Sequence, residues 1–205
     1  MNGTEVLTIG HSTHTIARFC ELLAISGVTA IADVRSAPYS RYQPDFNRDA
    51  LQQALIATGI KYVFLGKELG ARPNDLGLYE DGRVQYDRLA QTELFRSGLT
   101  RVFQGAKDYR LALLCAEKEP LECHRTLLVG RELEKQGAEI LHILADGRLE
   151  SNDSAMTRLL ALLNIPELDL FRSRSELIAD ACARQARRIA YVDQTLRTGS
   201  NEELA

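Results

Sequence analysis

Residues 111–144, LALLCAEKEPLECHRTLLVGRELEKQGAEILHIL, carry the pattern on which the fold prediction depends. The apolar run at residues 111–115 is typical of a buried β-strand, and residues 139–144 form a second run of the same kind. Between them, residues 124–136 have a helical periodicity that ends at Gly137. A strand, a helix and a second strand in succession indicate a crossover connection between parallel strands of one sheet.

The same alternation of strands and helices is found towards the N-terminus. Three further apolar, β-branched runs predict strands at residues 6–9, 28–34 and 60–65. Helical periodicity predicts helices at residues 16–25, with Thr15 as the N-cap, and at residues 49–58. This order predicts an α/β fold, with a mainly parallel sheet and helices on both of its faces. We expect one such domain over residues 1–150 and a C-terminal helical extension over residues 151–205.

The composition of the chain argues against several classes of protein. With 205 residues, 45% of them hydrophobic and 26% charged, the chain is long enough for one complete core. A formal net charge of −3 argues against capture of nucleic acid by a broadly basic surface, although it is compatible with a local basic pocket. The four scattered cysteines suggest no disulfide framework, and we find neither a signal peptide nor a run of roughly 20 apolar residues. We therefore expect a cytoplasmic protein without a membrane span.

Two regions depart from the alternation of strands and helices. Residues 66–86 are rich in glycine and charge, and we expect either a functional loop or lid, or a plain surface excursion. Beyond Pro166 an apolar stripe predicts a terminal helix that docks on the body of the protein, with a homo-oligomer contact as the alternative. We expect residues 198–205 to fray. The C-terminal stripe consists of Ile178, Cys182, Ala186, Ile189, Val192 and Leu196.

Polar and ionisable side chains are concentrated directly after three of the predicted strands. They are Gly10, His11 and Ser12 after the first strand, Asp33 and Arg35 at the end of the second, and Glu117, Cys123, His124 and Arg125 after the strand at residues 111–115. In open α/β sheets ligands bind beyond the carboxyl ends of the strands. These residues are therefore the candidates for a functional site.

The chemistry of these side chains predicts a site for a small anionic substrate. Four of them carry groups suited to acid–base catalysis, namely His11, Asp33, Glu117 and His124. The other five are predicted to bind substrate, namely Gly10, Ser12, Arg35, Cys123 and Arg125. The last two lie in the first turn of a predicted helix, whose free N–H groups and dipole attract anions. Asp33 and Arg35 share one side of a strand, where they either pair with each other or act separately.

The spacing of the cysteines argues against several mechanisms that a cysteine-containing site could use. Cys115 and Cys123 lie ten and two positions before Arg125, which does not fit the loop of a thiol phosphatase. The absence of a C-x-x-C motif argues against a redox dithiol. A zinc site would require the two cysteines and His124 to converge with His11, and without a close cysteine pair the prediction includes no metal. Neither a dinucleotide-binding motif nor a P-loop is present, so the sequence assigns no cofactor.

A set of short motifs spread over residues 4–143 has a characteristic order and spacing. The motifs are Thr8-Ile9-Gly10-His11-Ser12, Asp33-Val34-Arg35 with Pro38 and Ser40, Lys61-Tyr62, Leu69-Gly70, Leu114-Cys115-Ala116-Glu117 with Pro120, Cys123-His124-Arg125 and His142-Ile143. Together they resemble the bacterial and archaeal family called domain of unknown function 488. The resemblance implies an α/β domain without an assigned activity, and it supplies no catalytic roles. This chain has Ala71 where the family often has a second glycine.

These observations support three hypotheses of function. The first is an enzyme that acts on a small anionic substrate, such as a nucleotide or a nucleic-acid end, by acid–base chemistry at the strand ends. The second is a module that binds a ligand or a partner without catalysis, through residues 66–86 or the C-terminal stripe. The third is a metal-dependent hydrolase that uses Cys115, Cys123 and His124, and it fits the sequence less well.

Overall fold

A computed structural model of the protein describes residues 3–197, and its centre is a six-stranded sheet. The strands within the described residues are β1 (Thr4–Gly10), β2 (Ala30–Asp33), β3 (Lys61–Phe64), β4 (Tyr79–Glu80), β5 (Arg83–Val84), β6 (Leu111–Cys115), β7 (Ala138–Ile143) and β8 (Leu149–Ser151). The order across the sheet is β3-β2-β6-β1-β7-β8, and β4 and β5 form a separate hairpin. All pairings in the large sheet are parallel except that of β7 with the edge strand β8. The predicted α/β class is confirmed.

Helices cover both faces of this sheet. They are α1 (Ile16–Ile25), α2 (Arg48–Ala57), α3 (Gly66–Leu69), α4 (Tyr86–Ala90), α5 (Glu93–Asp108), α6 (Arg131–Lys135), α7 (Asn152–Leu162) and α8 (Arg174–Ile189), and a π-helical segment, Arg125–Gly130, leads into α6. Among residues 3–197, none of these helices combines the length and the apolar character that a membrane span requires.

The central strand β6 explains why two hydrophobic layers form. Its side chains alternate, so that Leu111, Leu113 and Cys115 belong to one buried cluster while Ala112 and Leu114 belong to the other. The second cluster is completed by α1 and α2, and the first by α5, α6, α7 and α8. A strand that is covered on both faces appears in the sequence as a continuous apolar run, which is why these strands could be predicted.

Every predicted strand is present, and its ends lie within two residues of the prediction. The helices predicted at residues 16–25 and 49–58 are also present, with Thr15 Oγ1 accepting a hydrogen bond from the backbone N–H of Arg18. The helix predicted at residues 124–136 is divided into the π-helical segment and α6. The sequence patterns did not predict α5, α7 or β8.

Residues 66–86 are neither a lid nor a loose surface excursion. They form α3, a 3-10 turn and the β4–β5 hairpin, and the buried side chains of Leu78 and Val84 join the larger core cluster. The backbone N–H of Val84 donates to the carbonyl of Tyr191 at 3.0 Å, and that of Asp193 donates to the carbonyl of Gly82 at 2.7 Å. Pairing with the C-terminal residues therefore fixes this segment.

The C-terminal helix docks on the body of the protein, as predicted. Ala181, Cys182 and Ala186 of α8 are buried in the same cluster as the sheet, so the stripe is used within the chain. The helix ends at Ile189, so two members of the predicted stripe, Val192 and Leu196, lie beyond it. A homo-oligomer contact through α8 stays a prediction. The predicted boundary at residue 150 lies within β8, and residues 198–205 lie outside the described residues.

Candidate functional site

A cavity of about 360 Å³ opens at the carboxyl edge of the sheet, beside the ends of β2 and β6. Of the nine predicted site residues, Arg35, Glu117 and His124 line it, and Cys115 lines it as well. The other polar and aromatic side chains in its wall are Ser36, Tyr39, Arg72, Tyr86, Glu122 and Tyr191. The structure therefore brings together residues from two of the three predicted strand ends, with further residues from the segment 71–86 and from the end of α8 and the residues after it.

The chain after β1 supports the site through its backbone. The N–H of His11 donates to the carbonyl of Cys115 at 3.0 Å, and the N–H of Ser12 donates to the carbonyl of Ala116 at 2.9 Å. At Gly10 an added Cβ would lie 1.8 Å from the carbonyl oxygen of Glu117, a distance that two atoms cannot adopt. Gly10 is therefore required for the close approach of the loop that carries Glu117.

Asp33 and Arg35 form a buried pair, which is the first of the two predicted alternatives. Arg35 Nε donates to Asp33 Oδ1 at 2.9 Å and Nη2 donates to Oδ2 at 2.6 Å, while the Tyr62 hydroxyl also donates to Oδ2 at 2.8 Å. Burial opposes a charge on Arg35, but the hydrogen bonds to Asp33 keep its pKa above the ordinary value. Nη1 makes no hydrogen bond to the described residues, so this donor remains available in the cavity wall.

Arg125 lies behind the site and does not reach the cavity. Its side chain is fully buried, and Nη1 donates to the carbonyl of Glu117 at 2.6 Å. Nη2 donates to the carbonyl of Lys118 at 3.2 Å, and Nε donates to Thr8 Oγ1 at 3.4 Å. The expectation that Arg125 holds a substrate anion does not fit this geometry, because the chain itself occupies its donors. Arg125 instead fixes the loop that carries Glu117.

The side chains of Cys115, Glu117, Cys123 and His124 form a compact group, which we call the thiol cluster. One potential ligand atom from each residue lies within 4.8 Å of all the others. Cys123 Sγ donates to Glu117 Oε2 at 3.0 Å, and His124 Nδ1 lies 3.6 Å from Cys115 Sγ and 3.9 Å from Cys123 Sγ. The other ring nitrogen, Nε2, lies 3.0 Å from the carbonyl oxygen of Val34. Because a carbonyl only accepts hydrogen bonds, Nε2 carries the proton and Nδ1 faces the two sulfurs.

The electrostatics of the thiol cluster favour opposite charges on neighbouring side chains. Burial raises the pKa of Cys115, and the adjacent Cys123 raises it further. Burial also opposes ionisation of Cys123, but hydrogen bonding to Cys115 and the charges of Arg125 and His124 bring the pKa of Cys123 well below its usual value. The pKa of His124 is raised against its own burial by Cys123. Of the two thiols, Cys123 is therefore the one that ionises more readily, whereas Cys115 keeps its proton.

His11 lies outside the cavity wall. Its ring stacks on Phe46 with the centroids 4.4 Å apart, and Nδ1 lies 3.1 Å from the carbonyl oxygen of Ser12. Burial, reinforced by the charge of Arg35, lowers the pKa of His11 to about 4. At neutral pH His11 is therefore an uncharged, stacked side chain next to the site.

Tyr86 is a candidate that the sequence analysis missed. It is buried to 9% exposure at the start of α4, lines the cavity, and its hydroxyl makes no hydrogen bond to the described residues. Burial raises its pKa, and the neighbouring Cys123, Cys115 and Glu117 raise it further, so the hydroxyl keeps its proton as a donor. Its position after a hairpin, about 30 residues before the thiol cluster, left no local signal in the sequence.

The predicted site residues thus divide into three sets. Arg35, Glu117 and His124 line the cavity, and Cys123 lies directly behind them. Asp33 and Arg125 are buried anchors for Arg35 and for the Glu117 loop. The third set surrounds the site without lining the cavity and comprises Gly10, His11 and Ser12. Of the four residues considered for a metal, three converge, and Glu117 takes the place expected for His11.

Comparison with known proteins identifies the family but not an activity. The model of the family described as "Domain of unknown function DUF488" matches residues 15–131, which is more than half of the chain. Searches of curated proteins and of solved structures gave no match. The matched region contains β2, β6, the cavity-lining Arg35 and the complete thiol cluster. The chain belongs to the DUF488 family, whose function is unknown.

Proposed function

We propose that this protein is an enzyme that binds a small anionic substrate in the cavity and acts on it by proton transfer. The observation that carries the proposal is that an arginine donor and a carboxylate line the same open cavity. Arg35 Nη1 is not used by the described residues, and the exposed side chain of Glu117 lines the same wall. A binding arginine alone would suit a receptor, whereas the added proton acceptor suits turnover.

The rigidity of Arg35 supports its role as the anion-binding group. Its guanidinium is held on Asp33 by two parallel hydrogen bonds, and Asp33 is fixed in turn by Tyr62. A planar donor that is already oriented loses little entropy when it binds a phosphate or a carboxylate. Arg35 and Asp33 therefore act as a unit, in which Asp33 positions and Arg35 binds.

Glu117 is the best-placed group for proton transfer. It is the one acid–base candidate of the four whose side chain is exposed in the cavity, and its loop is fixed by Gly10 and Arg125. Both ring nitrogens of His124 face groups of the chain itself, so His124 acts on Glu117 and the thiols rather than on substrate. The Tyr86 hydroxyl is a second proton donor within the same wall.

The shape of the cavity suits a substrate of the nucleotide class. A volume of about 360 Å³ is within the range of small-molecule sites. The Arg72 guanidinium stacks on the Tyr191 ring at 4.5 Å, and Tyr39 is 77% exposed, so the wall offers flat surfaces as well as the Arg35 donor. An aromatic base and a phosphate would each find a matching surface there.

The first test is a ligand screen followed by a turnover assay. Inorganic phosphate, nucleoside monophosphates and dinucleotides are screened by thermal shift, where a ligand at 100 times its Kd adds about 2.7 kcal/mol. Ligands that stabilise the protein are then incubated with it, and products are detected by mass spectrometry. Glu117→Gln should retain binding and lose about 100-fold or more of the turnover rate, because it can no longer accept a proton.

Glu139→Gln provides the matched control for this test. Glu139 is an exposed carboxylate of β7 that lies outside both the cavity and the thiol cluster, so its amide variant should keep full turnover. Full activity in Glu117→Gln, or no stabilisation by any of the anions, would contradict the proposal. The non-catalytic module has less support, because residues 66–86 and the C-terminal stripe pack against the chain itself.

A further inference from the structure

The thiol cluster has a composition and a geometry that the proposed proton transfer does not require. Two thiols and one imidazole converge on a point beside Glu117, although Glu117 alone would suffice to move a proton. Cys115 and His124 line the cavity wall, whereas Cys123 is fully buried behind them. A single buried cysteine, such as Cys182, is an ordinary core residue, but packing does not account for two thiols and an imidazole whose ligand atoms converge.

The distances match those between the ligands of a tetrahedral metal ion. Metal–sulfur bonds of about 2.3 Å and metal–nitrogen bonds of about 2.0–2.1 Å place a sulfur and a nitrogen ligand about 3.6 Å apart. His124 Nδ1 lies 3.6 Å from Cys115 Sγ and 3.9 Å from Cys123 Sγ. The three atoms can therefore bind one ion with little movement.

The surroundings of these ligands are also those of a metal site. The Nε2–H of His124 donates to the carbonyl of Val34 at 3.0 Å, which fixes the ring so that Nδ1 faces the sulfurs. Metal-binding histidines are commonly oriented by such a hydrogen bond from the second nitrogen. The backbone N–H of Arg125 donates to Cys123 Sγ at 3.4 Å, an interaction that stabilises negative charge on the sulfur.

We propose that Cys115, Cys123 and His124 bind one zinc ion, whose fourth position faces Glu117 and the cavity. Two thiolates and an imidazole select a borderline-soft ion such as zinc over magnesium or calcium, which prefer oxygen ligands. Three protein ligands with one open position are the arrangement of catalytic zinc sites, whereas structural sites use four protein ligands. His11 takes no part, because its ring stacks on Phe46 and it lies outside the group of ligand atoms that converge within 4.8 Å.

The role of this zinc in catalysis rests on the proposed function. A water molecule in the fourth position would transfer a proton to Glu117, and the resulting hydroxide would add to the electrophilic centre of the bound anionic substrate. Glu117 would then return the proton to the leaving group, so that substrate and water give two products. The class of reaction is therefore hydrolysis.

Metal analysis tests the site directly, with zinc and cobalt as the probes. The protein is purified without chelator and its zinc content is measured by mass spectrometry; the stripped protein is then titrated with Co²⁺. We expect one zinc per chain and the absorption band of thiolate-to-cobalt charge transfer. Cys123→Ala and Cys115→Ala should each lower zinc affinity by more than the roughly 10–100-fold that loss of an outer partner costs.

Cys182→Ala is the matched control, since Cys182 is a buried cysteine of α8 that contacts Met156 and lies outside the thiol cluster. It should bind zinc like the wild type. The proposal is overturned if Cys182→Ala loses as much affinity as Cys123→Ala, or if wild-type protein shows no thiolate-to-cobalt band. The wild-type spectrum decides the question even if a cluster variant does not fold.

Glu117→Gln distinguishes failure of the zinc site from failure of the proposed function. Because Glu117 is assigned to the water rather than to the metal, this variant should retain one zinc per chain. Zinc binding without stabilisation by any anion would leave the metal site intact and contradict the proposed function. Anion binding and turnover in a protein that takes up no metal would support the proposed function and contradict the zinc site.

Discussion

Arg35 lines the cavity beside Glu117, Arg125 bonds the backbone of the Glu117 loop, and the two arginines differ in how many of their donors remain free. Arg35 donates two side-chain hydrogen bonds to Asp33, and its third nitrogen, Nη1, remains free of hydrogen bonds to residues 3–197 in the cavity wall. Arg125 is fully buried, and its three side-chain nitrogens donate hydrogen bonds to two carbonyls and to the hydroxyl of Thr8. An arginine near a functional site can therefore bind a ligand only through N–H groups that the protein itself does not use. Its position in a sequence motif does not show whether such groups remain.

The two arginines also differ in how far their connections extend. Behind Arg125, Thr8 Oγ1 lies 2.8 Å from His142 Nδ1, and His142 Nε2 lies 3.0 Å from Asn152 Oδ1. Asn152 donates in turn to Glu134 Oε2 at 2.6 Å, so this network joins β1, β7, α6 and α7. On the cavity side, the side-chain hydrogen bonds of Arg35 within residues 3–197 reach Asp33 and, through it, Tyr62 of the neighbouring β3. Arg125 should therefore contribute mainly to stability and Arg35 mainly to binding.

The largest expected effect is the loss of stability in Arg125→Met. Methionine fills part of the space but leaves the carbonyls of Glu117 and Lys118 without their buried donors. We expect the free energy of unfolding to fall by about 3–5 kcal/mol, measured by urea denaturation. Arg148→Met is the control, because this exposed arginine pairs with the exposed Asp146 and its loss should cost less than about 1 kcal/mol. Equal losses in the two variants would contradict the assignment of Arg125.

The second prediction concerns the pH dependence of the network behind Arg125. Burial, partly offset by Asn152, lowers the pKa of His142 to about 4, against an ordinary value of 6.5. Between these two values the unfolded chain binds a proton that the folded chain does not, so stability must fall as pH falls from 6.5 towards 4. The loss attributable to His142 should reach roughly 3 kcal/mol.

His142→Gln isolates this contribution, because glutamine does not titrate. His11 also has a lowered pKa, so the wild type and the variant will both lose stability in acid. The measurement is the free energy of unfolding by urea at several values between pH 6.5 and 4. The variant should show the shallower dependence, and identical slopes would mean that His142 accepts a proton in the folded state without penalty.

Much of the fold could be predicted because its strands are covered on both sides. The continuous apolar run Leu111–Cys115 matches β6 at both ends, and the N-cap at Thr15 marks the start of α1. The helix α5 was missed although Thr92 caps it and Phe95, Leu99 and Val102 recur with helical spacing, so a signal was present. The edge strand β8 has three residues, none of them buried, and left no pattern to detect.

The location of the site could be predicted from the sequence, but the directions of its side chains could not. Arg35, Glu117 and His124, which were selected by their position at the strand ends, lie in the cavity wall, and their roles stay predictions. The same reasoning could not show that Arg35 lines the cavity while Arg125 does not. Arg125 is the first residue of the π-helical segment, and this backbone geometry, which sets the direction of its side chain, could not be predicted from the sequence. Convergence of Tyr86 on the cavity depends on long-range packing between a hairpin and the sheet, which no local pattern records.

The smallest expected effect on stability, and the sharpest test of the comparison, is Arg35→Lys. Lysine keeps the charge beside Asp33 but replaces a planar fork by one ammonium, which must serve Asp33 and a bound anion at the same time. The free energy of unfolding should therefore fall by only about 1 kcal/mol. The Kd of a phosphate ligand should rise about tenfold, which corresponds to about 1.4 kcal/mol.

Arg101→Lys is the control for this prediction. Arg101 is an exposed arginine of α5 outside the cavity, so the substitution should change neither the stability nor the Kd. If Arg35→Lys bound phosphate like the wild type, or lost as much stability as Arg125→Met, the two arginines would have the same role and the spare Nη1 donor would have no bearing on binding.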